Sequence, residues 1–269
     1  MSSQRPSPVR TNRPPVVLIL LATLGMAFFV LPLVGLVAKT PWSDLRDLLS
    51  SEIVADAVRL SLISSLGTTA IALVLGVPLA WVLARVEFPG KAILRGLVLL
   101  PLVLPPIVGG AALLFALGRR GVIGEPLHEL TGLVLPFSMW GVVIAATFVA
   151  MPFLVITVEG ALHNLDDRYE GAAATLGASR WTVLRRVTLP MIAPSLVSGI
   201  VLTWARALGE FGATITFAGN LQGRTQTLPL AIFVALETDR DTAVAVSLVM
   251  VAISLSVLVL LRDRWWRSL

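Results

Sequence analysis

From Val16 to Ala38 the chain runs 23 residues without a charged side chain, and comparable apolar stretches recur at Leu60 to Ala84, Ala92 to Leu117, Leu133 to Val158, Ile192 to Phe217 and Thr242 to Leu261. A run of about 20 apolar residues is what an α-helix needs to cross the hydrocarbon core of a bilayer, and no soluble fold has use for six. The first run exceeds the roughly 7 to 15 apolar residues of a signal peptide, so it reads as an uncleaved span. Six transmembrane helices are expected, an all-α polytopic membrane protein. Composition agrees: 56% of residues are hydrophobic and 14% charged, with a mean hydropathy of +0.88, whereas soluble domains carry about 25% charge.

The charges that remain are sorted. With the N-terminus in the cytoplasm, the inner segments hold thirteen Arg and Lys residues, among them Arg5, Arg10, Arg13, Arg85, Lys91 and Arg95. The outer segments hold seven, among them Lys39, Arg119, Arg120 and Arg224. Positive loops are retained inside, so both termini are predicted to be cytoplasmic. Residues 1–15 read as a polar tail at the anionic membrane surface, and residues 16–269 as the membrane domain, with Trp265 and Trp266 as an interfacial anchor. The formal charge of +5 is explained by this topology, and nucleic acid is not an expected partner. Without cysteine there is neither a disulfide nor a thiolate metal site, and His128 and His163 fall on opposite sides of the membrane, so no metal site is expected. The two lysines stand outside any glycine-rich phosphate cradle, so ATP chemistry, if used, belongs to another subunit.

Two stretches are candidates for function. The first is polar and lies between apolar runs, DDRYEGAAATLGASRWTVLRRVTLP from Asp166 to Pro190. It reads as helix, turn, helix. Asn164 or Asp166 caps the first helix, Ala172 to Ala174 favour it, Gly177 ends it in a left-handed conformation, Ser179 caps the second helix, and Pro190 interrupts the ladder where the next apolar run begins. The second lies at membrane depth. Pro101, Pro105 and Pro106, followed by Gly109 and Gly110, break the third run, an interruption that marks a substrate path or a simple kink. In the fifth run Arg206 and Glu210 are one helical turn apart, either a pair lining the path or an ion pair locking helices together. The two longest external pieces, residues 118–132 and 218–241, are the surfaces an extracytoplasmic partner would touch.

Ala172, Ala173, Gly177, Val187, Leu189 and Pro190 resemble the cytoplasmic EAA loop of ABC importer permeases; Gly171 stands where the family has its glutamate, and the acid is one residue earlier, at Glu170. Ala205 to Ala213 (ARALGEFGA), Ala218-Gly219-Asn220 and Gly223 to Leu230 (GRTQTLPL) are similar to the molybdate or tungstate branch, and sulfate permeases share the GEFGA part. The resemblance implies a permease subunit in the bacterial cytoplasmic membrane, not itself an enzyme. It implies a homodimer, two cytoplasmic ATPase subunits that bind ATP and Mg²⁺, and an extracytoplasmic molybdate-binding protein. The coupling loop, residues 165–189, would be moved by the ATPase through Glu170, Ala172, Ala173, Gly177, Leu189 and Pro190, and Pro105, Pro106, Arg206 and Glu210 are candidates for the translocation path. The same machinery for sulfate or thiosulfate, an ion-coupled secondary transporter and a non-transporting scaffold are the competing readings.

Overall fold

The computed structural model describes residues 15–265, without the side chains from residue 260 onward. The expected cytoplasmic tail up to residue 14, the side chain of Trp265 and all of Trp266 lie outside what is described. Among the described residues every regular element is helical. Five helices are long and apolar enough to cross a membrane: α1 (Val16–Ala38), α3 (Glu52–Arg85), α7 (Met139–His163), the continuous helix Arg180–Leu208, and the last helix, which begins at Arg240. A short α2 (Leu45–Leu49) precedes α3.

The expected third span is divided. Pro105 and Pro106 cannot donate backbone hydrogen bonds, so α4 (Lys91–Val103) stops at Leu104 and α5 (Pro106–Leu117) restarts with proline in its first turn. Neither piece reaches spanning length by itself. The expected fourth span begins at Met139 rather than Leu133, because Pro136 precedes a cap at Ser138, whose side chain accepts the Gly141 N–H at 3.1 Å. Both of the longest external pieces contain a helix. Residues 118–132 contain α6 (Gly124–Thr131), and residues 218–241 contain α12 (Leu228–Thr238), whose Leu228 and Leu230 are fully buried. The start of α12 is therefore closed to a partner, while Phe233 and Leu236 to Thr238 stay exposed.

α7 is the central helix. Two thirds of its apolar window is buried, against none for α1, which lies on the outside as a lipid-facing helix would. Its inward side packs with α3 and with α10 (Leu189–Leu208) through Leu83, Leu154, Val158, Leu162 and Ile192. A second cluster, Ala145, Val149, Ala213 and Phe217, joins α7 to α11 (Gly212–Phe217). A third, Val54, Ala57, Leu228, Ala231 and Val246, holds α12 between α3 and α13 (Arg240–Trp265). Small residues recur at these contacts, which lets helices that gain nothing from excluding lipid come close enough for dispersion to hold them.

Candidate functional site: a polar helical hairpin and a membrane-embedded ion pair

The polar segment folds as α8 (Asp167–Thr175), a turn, α9 (Arg180–Val183), a π-helical turn (Leu184–Thr188) and then α10. Asp166 caps α8 by accepting the Arg168 N–H at 2.9 Å. Gly177 sits at φ 82°, and the N–H groups of Gly177 and Ala178 bond to the carbonyls of Ala174 and Ala173 at 3.0 and 3.1 Å, a Schellman closure that the left-handed glycine permits. Ser179 accepts the Thr182 N–H and starts α9. Pro190 interrupts the backbone ladder without ending the helix: Arg180 to Leu208 is continuous, with a wide π turn just before the proline that lacks an N–H.

α8 has no buried residue, and Tyr169, Leu176 and Trp181 stand out of the hairpin at 54%, 89% and 64% exposure. Ala172, Gly177 and Pro190 are exposed, Ala173 and Leu189 half-buried. Glu170 turns inward. It accepts the Thr188 hydroxyl at 2.7 Å and lies 3.4 Å from Arg85 Nη2. Arg85, the last residue of α3, also reaches Asp167 at 2.5 Å. Beside these pairs Arg95 on α4 binds the buried Glu159 of α7, and Lys91 binds Glu87 at 2.6 Å, holding the exposed Glu87 carboxyl below its ordinary pKa. A cleft of about 750 Å³ lies between the end of α3 and the hairpin, lined by Trp81, Arg85, Glu170, Ala174, Arg180 and Trp181.

At the other end of α10 the expected stripe is modified. The helix stops at Leu208, with Gly209 as its C-cap, so Glu210 lies past the helix end rather than on a continuous face. The ion pair nevertheless forms: Glu210 Oε2 is 2.7 Å from Arg206 Nη1, with Glu210 at 2% exposure, while Oε1 accepts the Ala213 N–H at 2.8 Å and holds the first turn of α11. Sixteen residues beyond Pro190, at 1.5 Å each, place Arg206 roughly 24 Å along α10, within the thickness of a bilayer core. Two candidate path elements meet here. Gly110 of α5 faces the backbone of Ala213 so closely that a Cβ would lie 2.7 Å from its carbonyl oxygen, and a Cβ on Gly212 would lie 2.8 Å from the ring of Pro106. The proline break and the ion pair thus belong to one packed unit, with Pro105 and Pro106 exposed on its outside.

Residues 72–268 match the family of binding-protein-dependent transport system inner membrane components. That match covers most of the chain. The chain belongs to this family of transport-system membrane components. It is 49% identical to the molybdenum transport system permease protein ModB of Mycobacterium bovis over 81% of this chain and 82% of that one. Identity to the protein of the same description from Escherichia coli K12 is 47%, over 68% and 80%. The sulfate transport system permease protein CysT of E. coli is 37% identical over 77% and 76%. Among solved structures, a bacterial ABC transporter that imports alginate shares the fold with a TM-score of 0.72 at 19% identity, covering 94% of this chain and 95% of that one.

In this membrane component the ionic ties around the hairpin were not legible in the sequence. Arg85 counted there only as a topological charge, and Glu159 fell just beyond the expected end of its span. The signal available was an acid directly following an apolar run, which at that depth calls for a partner.

Proposed function

We propose that this chain is the permease subunit of an ATP-driven ABC importer that carries molybdate, or tungstate, across the bacterial cytoplasmic membrane. The observation that carries this reading is the 49% identity to molybdenum permeases over four fifths of the chain, against 37% to a sulfate permease. In this reading two copies form a homodimer in the lipid bilayer, each crossing it six times with α4 and α5 together making one crossing, and both termini are cytoplasmic. Two cytoplasmic ATPase subunits bind ATP and Mg²⁺, and an extracytoplasmic molybdate-binding protein delivers the anion.

The exposed side of the hairpin, with Ala172, Gly177, Leu176 and Trp181, docks on the ATPase. Ala173, Leu189 and Pro190 hold it on α10, and Glu170 keeps its two arms closed. When ATP draws the ATPases together the hairpin is displaced, and because α9, the π turn and α10 form one helix, the displacement reaches the Arg206–Glu210 unit along a stiff rod. Arg206 there offers positive potential to a passing tetrahedral oxyanion, while Glu210 prevents it from holding the anion tightly. The proline break at Pro105 and Pro106 gives α5 the freedom to follow α11.

The test is uptake of molybdate by proteoliposomes containing the permease, its ATPase and its binding protein. Accumulation that requires ATP and is competed by tungstate but not sulfate is expected. Sulfate or thiosulfate accumulation in place of molybdate would give the sulfate reading instead, and uptake driven by an ion gradient without ATPase would overturn the importer.

A further inference from the structure

α8 is the part of the hairpin on which any push from outside falls first, yet it buries none of its residues. Its side-chain ties to the membrane helices are ionic: among the described residues Asp167 and Glu170, one helical turn apart on α8, both pair with Arg85. Arg85 is the final residue of α3, and its side chain is only 19% exposed, whereas that of Asp167 is 82% exposed. The guanidinium is thus the fixed point and the helix is what hangs from it. Glu170 extends the link by accepting the Thr188 hydroxyl, in the π turn that leads into α10.

We propose that Arg85 is the positioning residue that makes α3 move with α8, so that a displacement of the hairpin enters the membrane domain through α3 as well as through α7 and α10, the two helices to which the chain itself joins the hairpin. The inference rests on the importer reading, since it supposes a partner that moves the hairpin. The planar guanidinium matters. Its Nη1 donates to Asp167 while Nη2 lies 3.4 Å from Glu170, an ionic contact and not a hydrogen bond, so the planar fork faces both carboxylates where a lysine is a single point charge. α3 is 34 residues long, about 51 Å at 1.5 Å per residue, so its far end lies well beyond the membrane-embedded unit. Its Ser61 hydroxyl accepts the Leu228 N–H at 2.7 Å, and a pull at Arg85 is delivered to the start of α12.

The chain has no cysteine, so labels are placed cleanly. In the assembled complex with its ATPase and binding protein, spin labels at Thr175→Cys and Val74→Cys report the distance between α8 and α3. The expected result is a distance that stays the same between the nucleotide-free and ATP-bound states, and that changes between those states in Arg85→Gln. Molybdate moved per ATP hydrolysed should fall about tenfold in Arg85→Gln, within the usual range of coupling energies between linked sites, with the ATPase still co-purifying. Arg85→Lys should recover part of the ratio, and Asp167→Asn should lose part of it. A wild-type distance that already changes with ATP overturns the proposal, as does a wild-type transport ratio in both Arg85→Gln and Asp167→Asn. Should Arg85→Gln fail to assemble, the exposed Asp167→Asn decides alone, and a wild-type ratio there overturns it. The spin-label arm needs no transported anion, so a complex that carries no molybdate sinks the importer's substrate without touching the tie.

Discussion

Gly177 holds φ at 82°, with nothing within 4 Å of where a Cβ would stand. The position is therefore closed to other residues by backbone conformation and not by crowding. Gly177→Val should cost about 1–2 kcal/mol at the turn, misalign α8 and α9, and leave insertion and ATP hydrolysis intact while uptake falls; ATPase and uptake assays on the same proteoliposomes check it, and wild-type uptake would remove the account of the turn. Arg206 poses the opposite case, a residue kept for its partner. Arg206→Ala leaves the Glu210 carboxylate buried and unpaired, which costs about 3–5 kcal/mol. The melting temperature in detergent should drop sharply. The double variant Arg206→Ala/Glu210→Ala should be less destabilised than the single one, the sign expected when the loss comes from the orphaned charge.

Between α5 and α11 the contact is made by backbone, because Gly110 and Gly212 face Ala213 and Pro106 with no room for a methyl group. Gly110→Val should force the two helices apart at a cost of roughly 1–3 kcal/mol, read as a lowered melting temperature and as faster proteolysis near Pro105. A variant as stable as the wild type would mean the two elements are not packed as one unit. This contact joins residues about a hundred positions apart, and nothing in the sequence announced it. The prolines and glycines of the third run did announce a break, since a missing N–H is a local fact. Where α5 would lie after the break depended on which surface had space for it. The Schellman turn at Gly177 and the caps at Asp166 and Ser179 were legible for the same local reason. The continuity of α10 through Pro190 was not, because the π turn that makes it possible is a tertiary accommodation.

For the molecule as a whole, the charge bias predicts that α8 and α9 are cytoplasmic. A single cysteine at Ala174, in the exposed face of α8, should react with a membrane-impermeant maleimide only after cells are opened, and labelling in intact cells would invert the topology. The apolar runs determined a membrane protein of helices, because a backbone in lipid must satisfy its own hydrogen bonds and 20 residues are needed to do so across a bilayer. The short motifs determined the polar hairpin and its turn, since caps and left-handed glycines act within a few residues. Only the tertiary structure decided that Glu170 turns inward to Arg85 and Thr188, and that α5 lies against α11. Those outcomes depend on which distant surfaces meet, and a charge or a glycine in a sequence records the need for a partner without naming it.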